Sequence, residues 1–451
     1  MEIKLTSYGA TEEVTGSCHL LNIDGHRILI DCGLWQGDWE NYVKNWDKFL
    51  FDPKSLDAVI LTHAHLDHCG RLPKLYAEGY NGPIFATPAT IDLAKIVLED
   101  SYFIMEEKSF RKKIPRFYRQ NDLLKTNKSF TPISYYQSRQ LTPDISFTLY
   151  NAGHILGSAI IKIQAGSKTI VFSGDLGGQN MPLVKDVDFI DKADYVVCES
   201  TYGDRSHQAI KTRDQELIKA LLRTTLNKST LLITIFAIER TQDILRVLND
   251  YYESHIDFKV PVFLDSPMAA QATKIYKKHL LDLNETAQAD LERDRDIFDF
   301  PHLKITNNIR QSKEINKTPN PKIIMAGSGM MEGGRIIHHL AQYVSDKKNQ
   351  ILFMGFQVPG TLGYQILSGD FDFDYYGQKI PIHATTQQID GFSAHADQGS
   401  LLGWLKHFEN PKKICLSHGD KPSLQKFAIM IGEDLKREVE ILKYNQPVIL
   451  K

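Results

Sequence analysis

Long apolar runs are missing from this sequence. None reaches the roughly 20 residues that a bilayer-spanning helix needs, and the start, "MEIKLTSYGA", lacks the basic and apolar blocks of a signal peptide. No membrane role is expected. Charge of one sign is also scarce: 53 Lys and Arg against 55 Asp and Glu leave a formal net charge of −2. No global positive field can therefore gather a polyanion, and any such attraction must be local. Cysteine is sparse and unpatterned. Cys18, Cys32, Cys69, Cys198 and Cys415 are scattered singly and odd in number, which suits reduced, buried thiols in a cytoplasmic protein better than a disulfide framework. No internal repeat or low-complexity tract stands out. What is present is 42% hydrophobic and 24% charged residues over a 451-residue chain, a soluble globular composition too long for one ordinary domain.

Through the first two hundred residues, apolar runs end in polar turns. "HRILIDCG", "LDAVILTHAH" and "DYVVCES" read as strands feeding a reactive edge, and "IIKIQAGSKTIVFSGD" as a hairpin. From about residue 206 the character changes. A helical stretch, "QELIKALLRTTLNK", precedes three successive units of strand, small-residue loop and helix: "STLLITIFAIERTQDILRVLNDYY", "KVPVFLDSPMAAQATKIYKKHL" and "PKIIMAGSGMMEGGRIIHHLAQYV". That series predicts an α/β unit with a parallel sheet. Residues 286–322 are charged and polar, with Pro319 and Pro321 near the end, and read as a surface loop or excursion rather than a domain linker. After about residue 380 the His-bearing turns return, in "QIDGFSAHADQ" and "KKICLSHGD".

The densest chemistry lies in "THAHLDH". His63 and His65 are two apart and leave extended backbone on one face, while Asp67 and His68 fall where a helix would begin. Imidazoles and a carboxylate crowded this tightly repel or desolvate one another unless a cation sits among them. Nitrogen plus carboxylate ligands suit zinc. An ordinary solvated turn would account for one histidine, not for this set. Further candidates sit at other strand-to-turn junctions: His154 in "NAGHILGSA", Asp175 in "VFSGDLGG" and His418 in "CLSHGD". Seven ligands make two sites: His63, His65 and His154 on one metal, Asp67, His68 and His418 on the other, and Asp175 bridging.

Taken in order, "DCG", "HAHLDH", "AGHILGS" and "SGDLG" resemble the metallo-β-lactamase superfamily, and "CESTYGDR", "DSPMA", "GSGMMEGGR", "GFSAHAD" and "LSHGD" are similar to its β-CASP nucleases. The match runs from "GATEEVTGSCHLL" to His418, nearly the whole chain. The resemblance implies an αββα sandwich with a second α/β, parallel-sheet domain inserted into it. The expected boundaries are 1–205 and 380–451 for the sandwich and 206–379 for the insert. It implies two zinc ions that share a hydroxide and hold a phosphodiester oxygen, and RNA, single-stranded, as substrate. Asp67 then serves the reaction as well as the metal. Glu199 is paired with His395 to protonate the leaving oxygen, and Asp31, ending "ILID", steadies a ligand histidine or the metal water from behind.

Substrate contacts are expected from Gly329 and Gly333 in the glycine-rich loop, from Arg335 and Arg240, and from Ser393 in "GFSAHAD". Exposed backbone N–H groups at such a loop favour an anion, although its spacing is neither a Walker loop nor a dinucleotide fingerprint. One departure stands out. Bacterial relatives usually carry roughly Pro-x-Phe-Ala-x-Gly-Arg where this chain has Thr234 and Glu239, and an acid beside Arg240 puts that phosphate contact in doubt. A basic and aromatic run, "KSFRKKIPRFYRQ", could track a single strand. A solvated helix face with its aromatics turned inward is the preferred reading there. Competing functions are a lactam, thioester or lactone hydrolase, a DNA nuclease, and a non-catalytic scaffold subunit. "FSAHAD" resembles the 3′-end endonuclease branch more than ribonuclease J, which favours internal cutting. Neither an appended RNA-binding module nor the carboxy-terminal domain of the ribonuclease J branch is apparent. Dimerisation is common in the wider family, and a homodimer has no residue-level signature here.

Overall fold

The computed structural model describes residues 1–294, 296–355, 357–358 and 360–451, the side chains of Lys112 and Asp294 excepted. The chain divides into two compact units, Met1–Ser206 with His395–Lys451, and His207–Ala394. Among the described residues no helix is long and apolar enough to cross a membrane.

The first unit holds two seven-stranded sheets. In one the order is Pro447–Leu450, Ile3–Ser7, His19–Ile23, His26–Ile30, Ala58–Ile60, Ile84–Ala86, Phe130–Pro132. In the other it is Val439–Ile441, Lys413–Ser417, Tyr195–Glu199, Lys168–Phe172, Ala159–Ala165, Ile145–Asn151, Ser138–Thr142. The strand Ile145–Asn151 shows the cause at residue level: every second side chain is buried, as the period of a pleated strand requires when one face packs. Ile3, Leu21, Ile28, Ile60 and Phe85 from the first sheet meet Phe147, Ile161, Ile170 and Phe172 from the second in one core. The outer face of the second sheet, with Val171, Val196 and Leu416, is covered by Leu401, Trp404, Phe427 and Ile431. Those come from helices Gln398–Lys406 and Lys421–Asp434, which begin at the capping carboxylates of Asp397 and Asp420.

Strand direction sets where the reactive groups emerge. His26–Ile30 runs parallel to Ala58–Ile60, and Lys168–Phe172, Tyr195–Glu199 and Lys413–Ser417 are mutually parallel neighbours. Within each set the carboxyl ends finish on one edge. Asp31 and His63 follow the first pair; Asp175, Glu199 and His418 follow or end the second set. The expected hairpin forms, Ala159–Ala165 against Lys168–Phe172.

The second unit is built on six parallel strands in the order Leu303–Ile305, Val262–Asp265, Lys322–Ala326, Thr230–Thr234, Gln350–Met354, Thr385–Ile389. By its contacts the unit reaches Ala394, past the expected boundary at 379, because Thr385–Ile389 pairs along Gln350–Met354 as the edge strand. Of the two readings for residues 286–322, the excursion is the one that forms: the stretch contains most of helix Glu285–Asp294, strand Leu303–Ile305 and helix Ile309–Glu314. Ile297, Phe298 and Ile315 in that stretch are buried, and this apolar anchorage is what the polar composition hid.

Candidate metal centre

Each ligand candidate is delivered by a short polar turn at a strand end. The chain leaves Ala58–Ile60 extended through His63, and His65 caps the short helix Leu66–Cys69, which carries Asp67 and His68. The neighbouring loop is pressed against this turn: Cys32 N–H donates to the His68 carbonyl and Ser17 N–H to that of Asp67. Gly33 has to be glycine there, since a Cβ would come within 1.5 Å of the Asp67 carbonyl oxygen. Gly177 does the same for the His154 loop, where a Cβ would meet the Gly153 carbonyl oxygen at 1.7 Å. Asp31 and His418 adopt left-handed backbone, with φ of 60° and 53°. A non-glycine residue pays roughly 1–2 kcal/mol for that conformation, and such positions cluster at functional sites.

The side chains form two adjoining groups. In the first, His65 Nδ1 lies 3.1 Å from both His63 Nε2 and His154 Nε2. In the second, His68 Nε2 is 3.0 Å from His418 Nε2, which is 3.6 Å from Asp67 Oδ2. Asp175 stands between them. Its Oδ2 is 3.4 Å from His63 Nε2 and 3.6 Å from His154 Nε2, while Oδ1 is 3.3 Å from His68 Nε2 and 3.6 Å from His418 Nε2. The set His63, His65, His154 and Asp175 could hold a metal ion, and so could Asp67, His68 and His418.

These residues fit zinc on two counts. One nitrogen, His65 Nδ1, approaches two others at 3.1 Å, and a single proton cannot bridge both contacts. Ligand nitrogens at roughly 2.0–2.1 Å from a tetrahedral zinc stand about 3.3 Å apart, which matches this packing. Protonation differs between the groups. In the second, burial favours neutral rings, yet Asp175 and Asp31 lift His68 well above the histidine range and Asp175 and Asp67 lift His418, so a metal there would displace protons. The first group is ready for a cation. Burial, then the neighbouring His68, pushes His63 well below the usual histidine range, and burial takes His65 down to about 4. Both are therefore neutral and able to donate a lone pair. Burial opposes ionisation of Asp175, yet His418, His68 and His63 around it hold its carboxyl well below the carboxylate range.

Behind the ligands lies a second layer of hydrogen bonds. Asp31 Oδ2 is 2.7 Å from His68 Nδ1, which turns Nε2 toward the centre. Asp31 is itself fixed by Thr62, whose N–H and Oγ1 donate to it at 2.8 and 2.9 Å. Thr201 Oγ1 is 3.0 Å from His418 Nδ1 and does for that ring what Asp31 does for His68. Sequence reasoning missed Thr62 and Thr201. Their only signal was position, beside His63 and within "CEST".

Glu199 ends its strand buried, accepting from the N–H groups of Leu176 and Thr201 at 2.7 and 3.2 Å. His395 Nδ1 is 3.2 Å from Glu199 Oε1, and its ring centroid lies 4.5 Å from that of His154. The bridge of His395 to Gly177 and the Ala396 N–H donated to the Leu176 carbonyl seat it there.

The remaining candidates belong to the second unit. Arg335 starts helix Arg335–Tyr343 after Gly334, at φ 74°, and its Nη1 is 2.5 Å from Asp265 Oδ1. Asp265 Oδ2 is 2.7 Å from His339 Nε2, so the arginine is engaged internally. Gly329 lies against the Phe236 ring, where a Cβ would approach within 2.1 Å, whereas Gly333 is in the open. Arg240 donates to the Met354 carbonyl at 3.1 Å and stacks 4.0 Å over Phe236. Glu239 is buried and accepts from the Tyr276 hydroxyl. Thr234 is buried at its strand end, accepting from Met354 N–H at 3.4 Å. Ser393 Oγ is buried without a hydrogen-bond partner among the described residues.

Three family models match the chain: a metallo-beta-lactamase superfamily domain over residues 20–196, a Beta-Casp domain over 241–366, and a Zn-dependent metallo-hydrolase RNA specificity domain over 379–442. A ribonuclease of Thermus thermophilus is 39% identical across 99% of this chain and 100% of its own length. An RNase J-like protein of Methanocaldococcus jannaschii is 33% identical across 96% of each chain. A transcription termination factor of Methanosarcina mazei is 32% identical across 99% of this chain and 72% of its own.

Proposed function

Because the chain belongs to the β-CASP group of the metallo-β-lactamase superfamily, and so is a metal-dependent hydrolase, we propose that it hydrolyses phosphodiester bonds within single-stranded RNA, with two zinc ions as cofactors. The observation that carries this reading is Asp175, one carboxylate with an oxygen toward each of two ligand groups, beside the Glu199–His395 pair. His63, His65, His154 and Asp175 would hold one ion, and Asp67, His68, His418 and Asp175 the other. The chemistry zinc supplies when bound is that of a Lewis acid, which readies water as a nucleophile near neutral pH and offsets charge on the phosphodiester.

The protein's own groups do the rest. Glu199 accepts the Nδ1 proton of His395 and so orients the ring with Nε2 outward. In its imidazolium form His395 gives that Nε2 proton to the departing oxygen. Asp31 and Thr201 keep His68 and His418 in the ligating orientation. Arg240, Arg335, the loop of Gly329 and Gly333, and Ser393 serve the RNA backbone. The internal engagement of Arg335 by Asp265 supports a role in holding the loop's backbone N–H groups in place rather than a freely reaching cation. RNA as the substrate is supported by the RNA specificity domain and the ribonuclease relatives. Internal cutting is supported by "GFSAHAD".

A gel with linear and circular single-stranded RNA tests this, using zinc-loaded wild type and His68→Ala. Both substrates should be cut by the wild type and neither by the variant. A linear strand degraded while the circle survives would replace internal cutting with attack from an end. If both stay intact in the presence of bound zinc, the ribonuclease reading falls.

A further inference from the structure

Arg213, on the first turn of helix Ile210–Leu226 in the second unit, has no exposed surface. Burying a guanidinium is costly unless its charge and its donors are all met. Two carboxylates meet the charge: Nη2 donates to Asp243 Oδ2 at 3.0 Å and Nε to Asp214 Oδ1 at 3.2 Å. The third arm goes elsewhere. Nη1 donates at 2.8 Å to the carbonyl of Gly391, 178 residues further on, and the guanidinium lies 4.2 Å over the Phe392 ring. Gly391 is matched to this contact, since a Cβ there would come within 2.9 Å of Arg213 Cβ and 3.1 Å of its Cδ. The same Cβ would stand 3.3 Å from the Gln208 carbonyl oxygen. The unit begins at His207 and ends at Ala394, so Arg213 fastens its two ends to each other.

The turn held in this way, Asp390–Phe392, is closed by the Ser393 N–H donated to the Asp390 carbonyl at 3.2 Å. Two residues then separate Phe392 from His395, and three steps of chain reach at most roughly 11 Å. Ser393 and Ala394 are both buried, so close packing leaves them little freedom to absorb a shift of the turn. A displaced Phe392 therefore displaces His395. Proton delivery is sensitive to such a shift: a misplacement of about 1 Å costs roughly 100-fold in rate. Stability alone does not call for this arrangement. A buried ion pair contributes little compared with apolar side chains of the same volume, and the bond to Asp243 needs no third arm. The planar fork of arginine makes the ion pair, the main-chain bond and the ring stack at once, which the single ammonium of lysine does not.

We infer that Arg213 is a positioning residue for His395: it holds the turn Asp390–Phe392 so that the imidazole paired with Glu199 stands where it can protonate the departing oxygen. This rests on the ribonuclease reading and deepens it, since Arg213 acts through the turn and not on the substrate.

Two variants test this. Arg213→Met/Asp243→Leu removes the deeply buried pair as a whole, leaving only the partly solvated Asp214, and Arg213→Lys keeps a cation without the fork. Each zinc-loaded protein is assayed on a single-stranded RNA and on bis(4-nitrophenyl) phosphate, a diester whose nitrophenolate departs without a proton. The double variant should keep the parent's zinc content and lose roughly 100-fold in kcat on RNA. Its loss on the nitrophenyl ester should be smaller by roughly tenfold or more, because no general acid is needed there. Arg213→Lys should fall between the double variant and the parent on RNA. Placed in a His395→Ala background, the double substitution should cost RNA cleavage nothing further, since the group it positions is gone. Equal losses on the two diesters, or a full additional loss in the His395→Ala background, overturn the positioning role while the parent's RNA cleavage leaves the ribonuclease reading standing. Calorimetry in which both variants lose the cooperative unfolding of the second unit makes Arg213 a folding residue and overturns the role as well. A parent that cleaves the nitrophenyl ester and leaves RNA intact overturns the ribonuclease reading, and the role with it.

Discussion

Asp175 and the rings around it show how much of this centre depends on single atoms. Its two oxygens face different groups of imidazoles, so a shift of the side chain by one rotamer would leave both groups short of a ligand. The rings in turn depend on what holds their far nitrogens. Asp31→Ala removes the acceptor 2.7 Å from His68 Nδ1, and zinc affinity should fall roughly 10- to 100-fold, measured by competition with a chelating dye. Thr201→Val should act in the same direction through His418, more weakly because a neutral hydroxyl is lost. His395→Ala is expected to behave differently. Zinc content should stay at the wild-type level while kcat on RNA drops by about 10²–10⁴, because the ring sits against Glu199 rather than among the ligand nitrogens. A zinc loss parallel to the activity loss would make His395 a ligand instead.

At the level of elements, loop contact and strand direction carry the design. Asp31, His63, Asp175 and His418 come together because parallel neighbours finish on common edges. The turns can approach closely because glycine lines the contacts. Gly33→Ala would drive a Cβ into the Asp67 carbonyl, so the turn bearing Asp67 and His68 must move. Atomic absorption on the purified variant should show zinc below the wild-type content. In the second unit, the loop before helix Arg335–Tyr343 is tied to its sheet through Asp265. Burial by itself would raise the Asp265 pKa, but hydrogen bonds from His339, Ser312, Thr306 and Arg335 hold it well below the carboxylate range. A carboxylate depressed in the folded state contributes stability that is present above its unfolded pKa of about 3.9 and is lost as pH falls below it. Urea unfolding between pH 7 and pH 3 should therefore show a smaller loss of stability for Asp265→Asn than for wild type, on top of a lower stability at pH 7. Equal pH slopes for the two proteins would contradict this account.

For the whole molecule, metal binding and folding should be linked. Five histidines and two carboxylates converge in the first unit, and without cations the desolvation of so many buried polar groups opposes the fold. A ligand that binds only the native state adds about 2.7 kcal/mol at a free concentration one hundred times its Kd. Chelation should accordingly lower the thermal midpoint of the first unit, read by calorimetry, and excess zinc should restore it. The second unit has its own core, including Leu232, Ile324, Leu340 and Phe353, and none of the seven ligand candidates, so its unfolding should be indifferent to chelation.

Much of this molecule can be read from its residues in order. Strand-to-turn junctions announce themselves because apolar runs give way to His, Asp and Gly, residue types that packing alone would not select. The parallel sheet of the second unit and seven ligand candidates follow from such local signals, and the αββα sandwich from the family resemblance that the ordered motifs carry. Other features have no local signal. A threonine that steadies His418 looks like any other threonine until 217 residues of chain are folded back upon it. The buried Ile297, Phe298 and Ile315 are outnumbered by charges in their own segment. Which aromatic of the basic run turns outward is decided by what the rest of the fold leaves uncovered. Sequence by itself determined the chemistry available, because side-chain type is local. Only the tertiary structure decided which atom of each side chain meets which partner, because those contacts are made across hundreds of residues by the direction of strands and the closeness of backbones.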